Sequence, residues 1–324
     1  MPVLAVENLK TYYFTKAGVV KAVDDVSFGV EAGNVLGLVG ESGCGKSVTG
    51  FSIMGLVDPP GRIVGGRVLL ECDNLLAKSD ATMRTLRGDR IATIFQDPMM
   101  TLNPVLRIDT QMIETVNAHR QVSPEKAREL ARAALSRVGL PAPDERLAAY
   151  PHQLSGGMRQ RVAIAIALLN NPRVIIADEP TTALDVTIQA QILFEVQKLA
   201  RETGTAMIWI THDLSVIAGL ADEVCVMYAG RIVESGPTAK LLDRPLHPYT
   251  AGLIASIPSR NERGKPLAQI PGMTPSLANL KPGCAFRERC ARATEACKVA
   301  PDITHPSASR TLRCFNPCAG MTNY

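Results

Sequence analysis

Apolar residues follow two different periods along this chain. From Val3 to Leu38 they recur at alternate positions, as at Leu4 and Val6 and again at Val26, Phe28 and Val30. Strand side chains point to opposite faces in turn, so this spacing predicts an antiparallel β-layer. The run Val35-Leu36-Gly37-Leu38-Val39 closes it with a short strand of continuous apolar character, and Gly66–Leu70 and Ile91–Phe95 are two further strand candidates. From about residue 108 to 147 the period becomes helical. Ser123 and Pro124 read as an N-cap followed by proline at the first helical position. Leu130, Ala131, Ala134, Leu135 and Val138 form an apolar face, and Gly139 ends the helix. A helix over 159–169, a buried strand at 174–177, a helix of about 18 residues and a strand at 206–210 then follow one another. Strand–helix–strand alternation of this kind predicts a mostly parallel sheet and an α/β fold. Beyond Glu234 the pattern deteriorates. Pro and Gly are frequent between 237 and 283, and no long periodic segment appears. The change falls near 240–260, which predicts a large domain over 1–240, with a helical part at about 100–165, and an extension over 241–324. No internal repeat is visible.

The glycines around 40–47 change the picture from fold to chemistry. Gly40-Glu41-Ser42-Gly43-Cys44-Gly45-Lys46-Ser47 is a complete G-x-x-x-x-G-K-[ST] pattern, set between a predicted strand and a segment, Lys46 onward through Val48 to about Leu56, that can run on as a helix. Three glycines let the backbone curl so that its N–H groups face phosphates. Lys46 can reach the β- and γ-phosphates of a nucleotide, and the Ser47 hydroxyl can ligate Mg²⁺. Cys44 reads as a small filler within the loop.

The buried strand 174–177 runs directly into Asp178 and Glu179. At the end of a strand, one carboxylate can stand by Mg²⁺ and the next near the γ-phosphate, where it can polarise a water. Phosphate loop and carboxylate-ended strand in one chain predict a core that binds nucleotide phosphates and Mg²⁺ and can direct water at the γ-phosphate.

Composition narrows the class. Apolar residues make up 46% of 324 positions, enough for a sizeable core. A net charge of +4 gives no case for nucleic-acid binding by bulk electrostatics. No window approaches the ~18 apolar residues of a membrane span, and the N-terminus lacks the basic and apolar regions of a signal peptide. A soluble chain that stays where it is made is expected.

Leu154-Ser155-Gly156-Gly157-Met158-Arg159-Gln160 resembles the signature motif of ATP-binding cassette (ABC) transporters, with Met158 where the commonest form has Gln. A Ser hydroxyl and two Gly N–H groups at a helix start make an anion site independently of the name. The resemblance implies that this site meets the γ-phosphate bound by an opposite subunit. It extends to Tyr13 as the aromatic that stacks on adenine, with Tyr12 and Phe14 as neighbouring alternatives, and to Gln96 as the glutamine that senses Mg²⁺ and water. Thr182-Ala183-Leu184-Asp185 resembles the D-loop, and His212 the switch histidine at the γ-phosphate. It implies a cassette with a parallel-sheet core, an antiparallel β subdomain and an α-helical subdomain. In it Lys46, Gln96, Glu179 and His212 carry catalysis, and Ser47, Gln96 and Asp178 hold Mg²⁺.

Five of the eight cysteines fall between 284 and 318, spaced unlike the paired C-x2-C of common zinc sites. Four thiolates at Cys284, Cys290, Cys297 and Cys314 can hold either a 4Fe–4S cluster or Zn²⁺. Leu246-His247-Pro248-Tyr249-Thr250, Pro275-Ser276-Leu277 and Gly283-Cys284-x-Phe286-x-x-Arg289-Cys290 resemble the C-terminal extension of oligopeptide/dipeptide importer ATPases. That resemblance implies the 4Fe–4S cluster over zinc and gives Cys318 no role. It also implies a second, related but distinct ATPase, two integral-membrane permease subunits, an extracytoplasmic substrate-binding protein and a position on the cytoplasmic face of the inner membrane. Dipeptides or oligopeptides are the expected cargo, with nickel and glutathione as alternatives. A soluble, non-transport ABC ATPase acting on nucleic acid or ribosomes is a remote rival, because neither a second cassette nor a long inserted coiled coil is present.

Overall fold

The chain forms two compact units in the computed structural model, which describes residues 2–181, 185–261 and 264–318. One unit comprises Met1–Leu4, Val30–Val35 and Ala77–Trp209; the other comprises Ala5–Gly29, Leu36–Leu76 and Ile210–Tyr324.

In the first unit, strands Ile91–Ile94 and Val174–Asp178 and residues 206–209 of strand Ala206–Thr211 lie side by side in that order. The first two are parallel, with Ile91 opposite Val174 and Ile94 opposite Ala177. They are nearly continuous apolar runs because both faces of such a sheet are covered. Helices Ile108–Asn117, Pro124–Arg137, Pro143–Ala148 and Gly156–Leu168 supply the helical part. The second begins as its sequence predicts: Ser123 caps it, its hydroxyl accepting the Lys126 N–H at 3.3 Å, and Pro124 holds the first position. Its buried stripe is Ala127, Ala131, Ala134 and Leu135, with Val138 just beyond. Leu130 is only half-buried, and the stripe takes in Ala127 at the preceding turn instead. Helix Gly156–Leu168 starts three residues before the expected Arg159, because Ser155 caps it and draws both glycines into the first turn.

In the second unit, strands Gly18–Val30, Leu4–Thr15, Gly61–Leu70 and Asp73–Asn74 form a four-stranded sheet in that order, the last pair antiparallel. A second sheet runs Thr304–Ser307, Arg310–Leu312, Arg231–Pro237, Glu223–Tyr228, Val35–Val39. Val35–Val39 and Glu223–Tyr228 are parallel and the remaining pairs antiparallel. The segment after Glu234, structureless by its pattern, thus supplies two strands of this sheet and the helices Thr238–Asp243 and Pro248–Ala255.

A buried ionic hub holds that segment. Glu234 is fully buried and accepts from the N–H groups of Leu246 and His247 at 2.8 and 2.9 Å, and from the Arg310 guanidinium. A carboxylate withdrawn from water is tolerable only with such a full set of donors.

Candidate functional site

The phosphate loop lies wholly in the second unit. Strand Val35–Val39, buried at every residue, delivers Gly40, and helix Lys46–Met54 leaves from the other end. Gly40 is pressed against neighbouring backbone: a Cβ there would stand 2.2 Å from the Met227 carbonyl oxygen. Gly45 is equally confined, 2.1 Å from the Ala22 carbonyl oxygen, at φ +108°. Gly43, at φ +77°, has open space where a Cβ would be, so its glycine serves the left-handed turn alone. Ser42 and Gly43 are exposed, and Ser47 and Val48 half-buried. The buried Lys46 donates from Nζ to the carbonyls of Gly40 at 2.8 Å and Glu41 at 3.1 Å. Cys44 is fully buried and burial raises its thiol pKa, in keeping with a filler. An exposed Gly-rich turn whose backbone is fixed from beneath fits a nucleotide's phosphates, and the Ser47 hydroxyl at its end fits a hard cation such as Mg²⁺.

In the same unit, His212 is exposed directly after Thr211. Thr211 Oγ1 accepts the Asp213 N–H, and Asp213 in turn caps helix Leu214–Leu220. Of the three N-terminal aromatics, Tyr12 is committed elsewhere, donating its hydroxyl to Asp24 at 2.6 Å; burial and that carboxylate push its pKa up to about 12. Tyr13 is half-buried beside Gly61, where a Cβ would meet its ring at 2.7 Å, and Phe14 is exposed under the Arg62 guanidinium.

The first unit holds the remaining candidates. Asp178 is the last residue of its strand and Glu179 follows in the left-handed region at φ 45°. Gln96 is exposed, two residues beyond the end of the neighbouring parallel strand. Two chain segments thus bring a carboxylate pair and an amide to the same end of a parallel sheet, where α/β proteins hold their ligands.

The signature segment forms a separate site in that unit. Ser155 Oγ accepts the Met158 N–H at 3.3 Å, and Leu154 is buried beneath it, its carbonyl accepting from Arg159 Nε at 3.0 Å. Ser155, Gly156, Gly157 and Met158 line one side of an open cavity of about 480 Å³. Asp185, Ile188 and Gln191 line the other, together with Arg161, which bonds Gln191 at 3.0 Å. The rest of the D-loop, Thr182-Ala183-Leu184, lies outside the described residues. Arg161 and Gln191 escaped the motif reading. The signal was helical spacing, Gly157 to Arg161 and Ile188 to Gln191, on two helices whose starts are marked by Ser155 and Asp185.

The cysteines correct an expectation. Cys284, Cys290, Cys297 and Cys314 line one space with His247 and Phe286, but it measures only about 10 Å³. Among the described residues no group of three or more His, Cys, Asp or Glu is arranged to hold a metal ion. Burial raises the pKa of the Cys284, Cys290 and Cys314 thiols. Asn316 Nδ2 lies 3.6 Å from Cys297 Sγ. Among the described residues, then, the expected ligand set for a 4Fe–4S cluster or zinc is not formed.

Comparison with known proteins follows the same lines. The family model described as ABC transporter matches residues 23–182, and that of the oligopeptide/dipeptide transporter C-terminal region matches 233–297. The dipeptide transport ATP-binding protein DppD of Bacillus subtilis (strain 168) is 48% identical over 315 residues, 97% of this chain and 94% of that protein. The chain belongs to the ABC transporter family. The oligopeptide transport ATP-binding protein OppD of Salmonella typhimurium is 46% identical over 314 residues, covering 97% of this chain and 93% of the relative. A bacterial ABC transporter cassette solved as a dimer is similar with a TM-score of 0.66 at 28% identity, over 72% of this chain and 98% of that one. The same cassette solved in a post-hydrolysis state with ADP and Pi is equally similar. The names of these ABC relatives speak of ATP binding and peptide transport, and none of an iron–sulfur centre. Among the described residues no helix is long and apolar enough to cross a membrane.

Proposed function

We propose that the chain is the ATP-hydrolysing subunit of an importer for dipeptides or oligopeptides. The observation that carries this reading is the pairing, in one chain, of an ATP-binding cassette with a C-terminal region of the oligopeptide/dipeptide transporter type. The nucleotide-binding domain is taken as 1–240 and the extension as 241–324.

In this reading the N–H groups of 40–48 and the Lys46 ammonium hold the phosphates, and Tyr13 stacks on the base. Ser47, Asp178 and Gln96 would hold Mg²⁺, which when bound offsets charge developing on the phosphates. Glu179 orients and polarises the attacking water, and His212 steadies the γ-phosphate as the bond to the leaving group breaks. Ser155, Gly156 and Gly157 present a hydroxyl and helix-start N–H groups to the γ-phosphate of a partner ATPase, and Asp185 borders that contact. Closing and opening of the cassette pair drives two permease subunits supplied by an extracytoplasmic binding protein, with this chain peripheral on the cytoplasmic face of the inner membrane. The partner ATPase is a distinct relative.

The test is reconstitution in vesicles with the partner ATPase and permease subunits. A peptide-loaded binding protein is expected to stimulate ATP turnover several-fold and to drive peptide uptake. Stimulation by nickel or glutathione in place of peptides would overturn the cargo assignment, and ATP turnover without any transport would overturn the importer reading.

A further inference from the structure

One residue of the phosphate loop is held from almost 250 positions away in the chain. The Glu41 backbone is already engaged, its N–H donating to the Tyr249 hydroxyl at 2.9 Å and its carbonyl accepting from Lys46 Nζ at 3.1 Å. Arg289, in the C-terminal extension, grips the Glu41 carboxylate with two N–H groups at 2.6 and 2.9 Å, and Thr274 Oγ1 donates to it at 2.8 Å. Arg289 is fixed on its other sides as well. Its Nε donates to the Pro271 carbonyl at 2.9 Å and its Nη1 to the Tyr228 hydroxyl at 3.3 Å. The guanidinium carbon lies 5.9 Å from the ring centres of both Tyr228 and Phe286. The Arg289 side chain is 7% exposed and that of Glu41 27%.

A two-pronged guanidinium–carboxylate pair fixes orientation as well as distance, and burial weakens its screening by water. This pair is therefore stiff, and it ends on a loop whose glycines carry little conformational preference of their own. The Lys46 ammonium, the charge that meets the phosphates, is bonded to the carbonyl of the very residue that Arg289 holds.

We propose that Arg289 is a positioning residue for nucleotide binding: through Glu41 it fixes the first turn of the phosphate loop, so the C-terminal extension sets the affinity for MgATP. This rests on residues 40–47 being the ATP-binding loop. A staple that merely anchored the extension would need neither the paired geometry nor the Thr274 bond on the same carboxylate. The neighbouring guanidinium also holds the Glu41 carboxyl below the usual carboxylate range, so the grip persists throughout the neutral range.

The experiment measures MgATP affinity by equilibrium dialysis of the full-length chain, with thermal unfolding recorded in parallel. R289A is expected to weaken binding on the order of 10-fold, and R289K, which keeps the charge but not the fork, to restore part of it. The double variant E41A/R289A should bind no more weakly than the weaker single variant, because both act through one contact. In the reconstituted complex, R289A should raise KM for ATP with kcat within about twofold of the parent. Unchanged affinity with lowered thermal stability would reduce Arg289 to a staple and overturn the proposal, as would multiplicative losses in the double variant. Should R289A fail to fold, the isosteric E41Q carries the same measurement, and unchanged affinity in E41Q overturns the proposal equally. K46A separates the two layers. Intact binding in K46A overturns the loop reading itself, whereas lost binding in K46A beside intact binding in R289A overturns only the role of Arg289.

Discussion

Gln96 and Glu179 each lie two residues beyond the last paired positions of neighbouring parallel strands, where Ile94 is opposite Ala177. An amide and a carboxylate that follow the same end of two adjacent strands can address a single water or metal ion. If Glu179 aligns the water and does not hold the nucleotide, Glu179→Gln should cut ATP turnover by roughly 100-fold or more. MgATP affinity should stay within about twofold. Steady-state turnover of the assembled complex and dialysis of the purified chain make the comparison. Near-normal hydrolysis would remove Glu179 from the mechanism.

The loop glycines are not equivalent. Gly45→Ala drives a methyl group into the Ala22 carbonyl oxygen at 2.1 Å, a contact that backbone must move to relieve. Gly43→Ala meets nothing within 4 Å and bears only the left-handed cost of about 1–2 kcal/mol. Thermal unfolding should therefore separate them, with Gly45→Ala much the more damaging and Gly43→Ala several degrees below the parent. Equal losses in the two would contradict the packing beneath the loop.

Gly156 and Gly157 differ in the same way. Open space surrounds the position of a Gly156 Cβ, whereas one on Gly157 would press on Ile188 at 3.0 Å. Alanine is also the better helix former, so Gly156→Ala should leave stability unchanged or raise it by about 0.5–1 kcal/mol. It should nonetheless weaken ATP-driven pairing with the partner ATPase, because the methyl group intrudes on the face offered to the partner's nucleotide. Light scattering with and without MgATP reads that pairing, and undiminished association would argue against a shared site.

His247 makes stability sensitive to acid. Its Nδ1 accepts the Tyr249 N–H at 3.0 Å, capping helix Pro248–Ala255, and burial pushes its pKa down to about 4. The native imidazole stays neutral down to that pH, whereas the unfolded one takes up its proton near 6.5. Between these values the unfolded state binds more protons, so stability present above pH 6.5 is lost as pH falls towards 4, by about 3 kcal/mol in all. His247→Asn keeps a capping oxygen and removes the titration. Urea midpoints at pH 7 and pH 5 should then differ less in the variant than in the parent, and an unchanged difference would assign the acid sensitivity elsewhere.

What the sequence made legible was whatever short-range rules govern. The phosphate loop, the strand ending at Asp178 and the cap at Ser123 all follow from neighbouring residues, and each forms as expected. The hairpin of Glu223–Tyr228 and Arg231–Pro237 was hidden because its turn places Ala229 and Gly230 at φ 47° and 83°, and alanine is a poor signal for such a turn. The extension was hidden for a different reason. Its order depends on Glu234 meeting Arg310 and on Glu41 meeting Arg289, pairs far apart in the chain that no local pattern announces. The cysteine spacing misled in the opposite direction, since proximity in sequence did not produce ligand geometry.

Among the described residues, the sheet containing Arg231–Pro237 ends on Thr304–Ser307, whose four residues are all exposed. One of them is Pro306, which has no N–H to offer, so no further strand can dock there with a full ladder. A chain cut short before residue 304 would instead end its sheet on Arg231–Pro237, where Ile232 and Val233 are buried and the bonds at Ser235 and Glu234 opposite Thr311 and Leu312 are lost. Such a bare, apolar strand invites pairing between molecules, so the hairpin of Thr304–Ser307 and Arg310–Leu312 covers an edge that would otherwise favour aggregation.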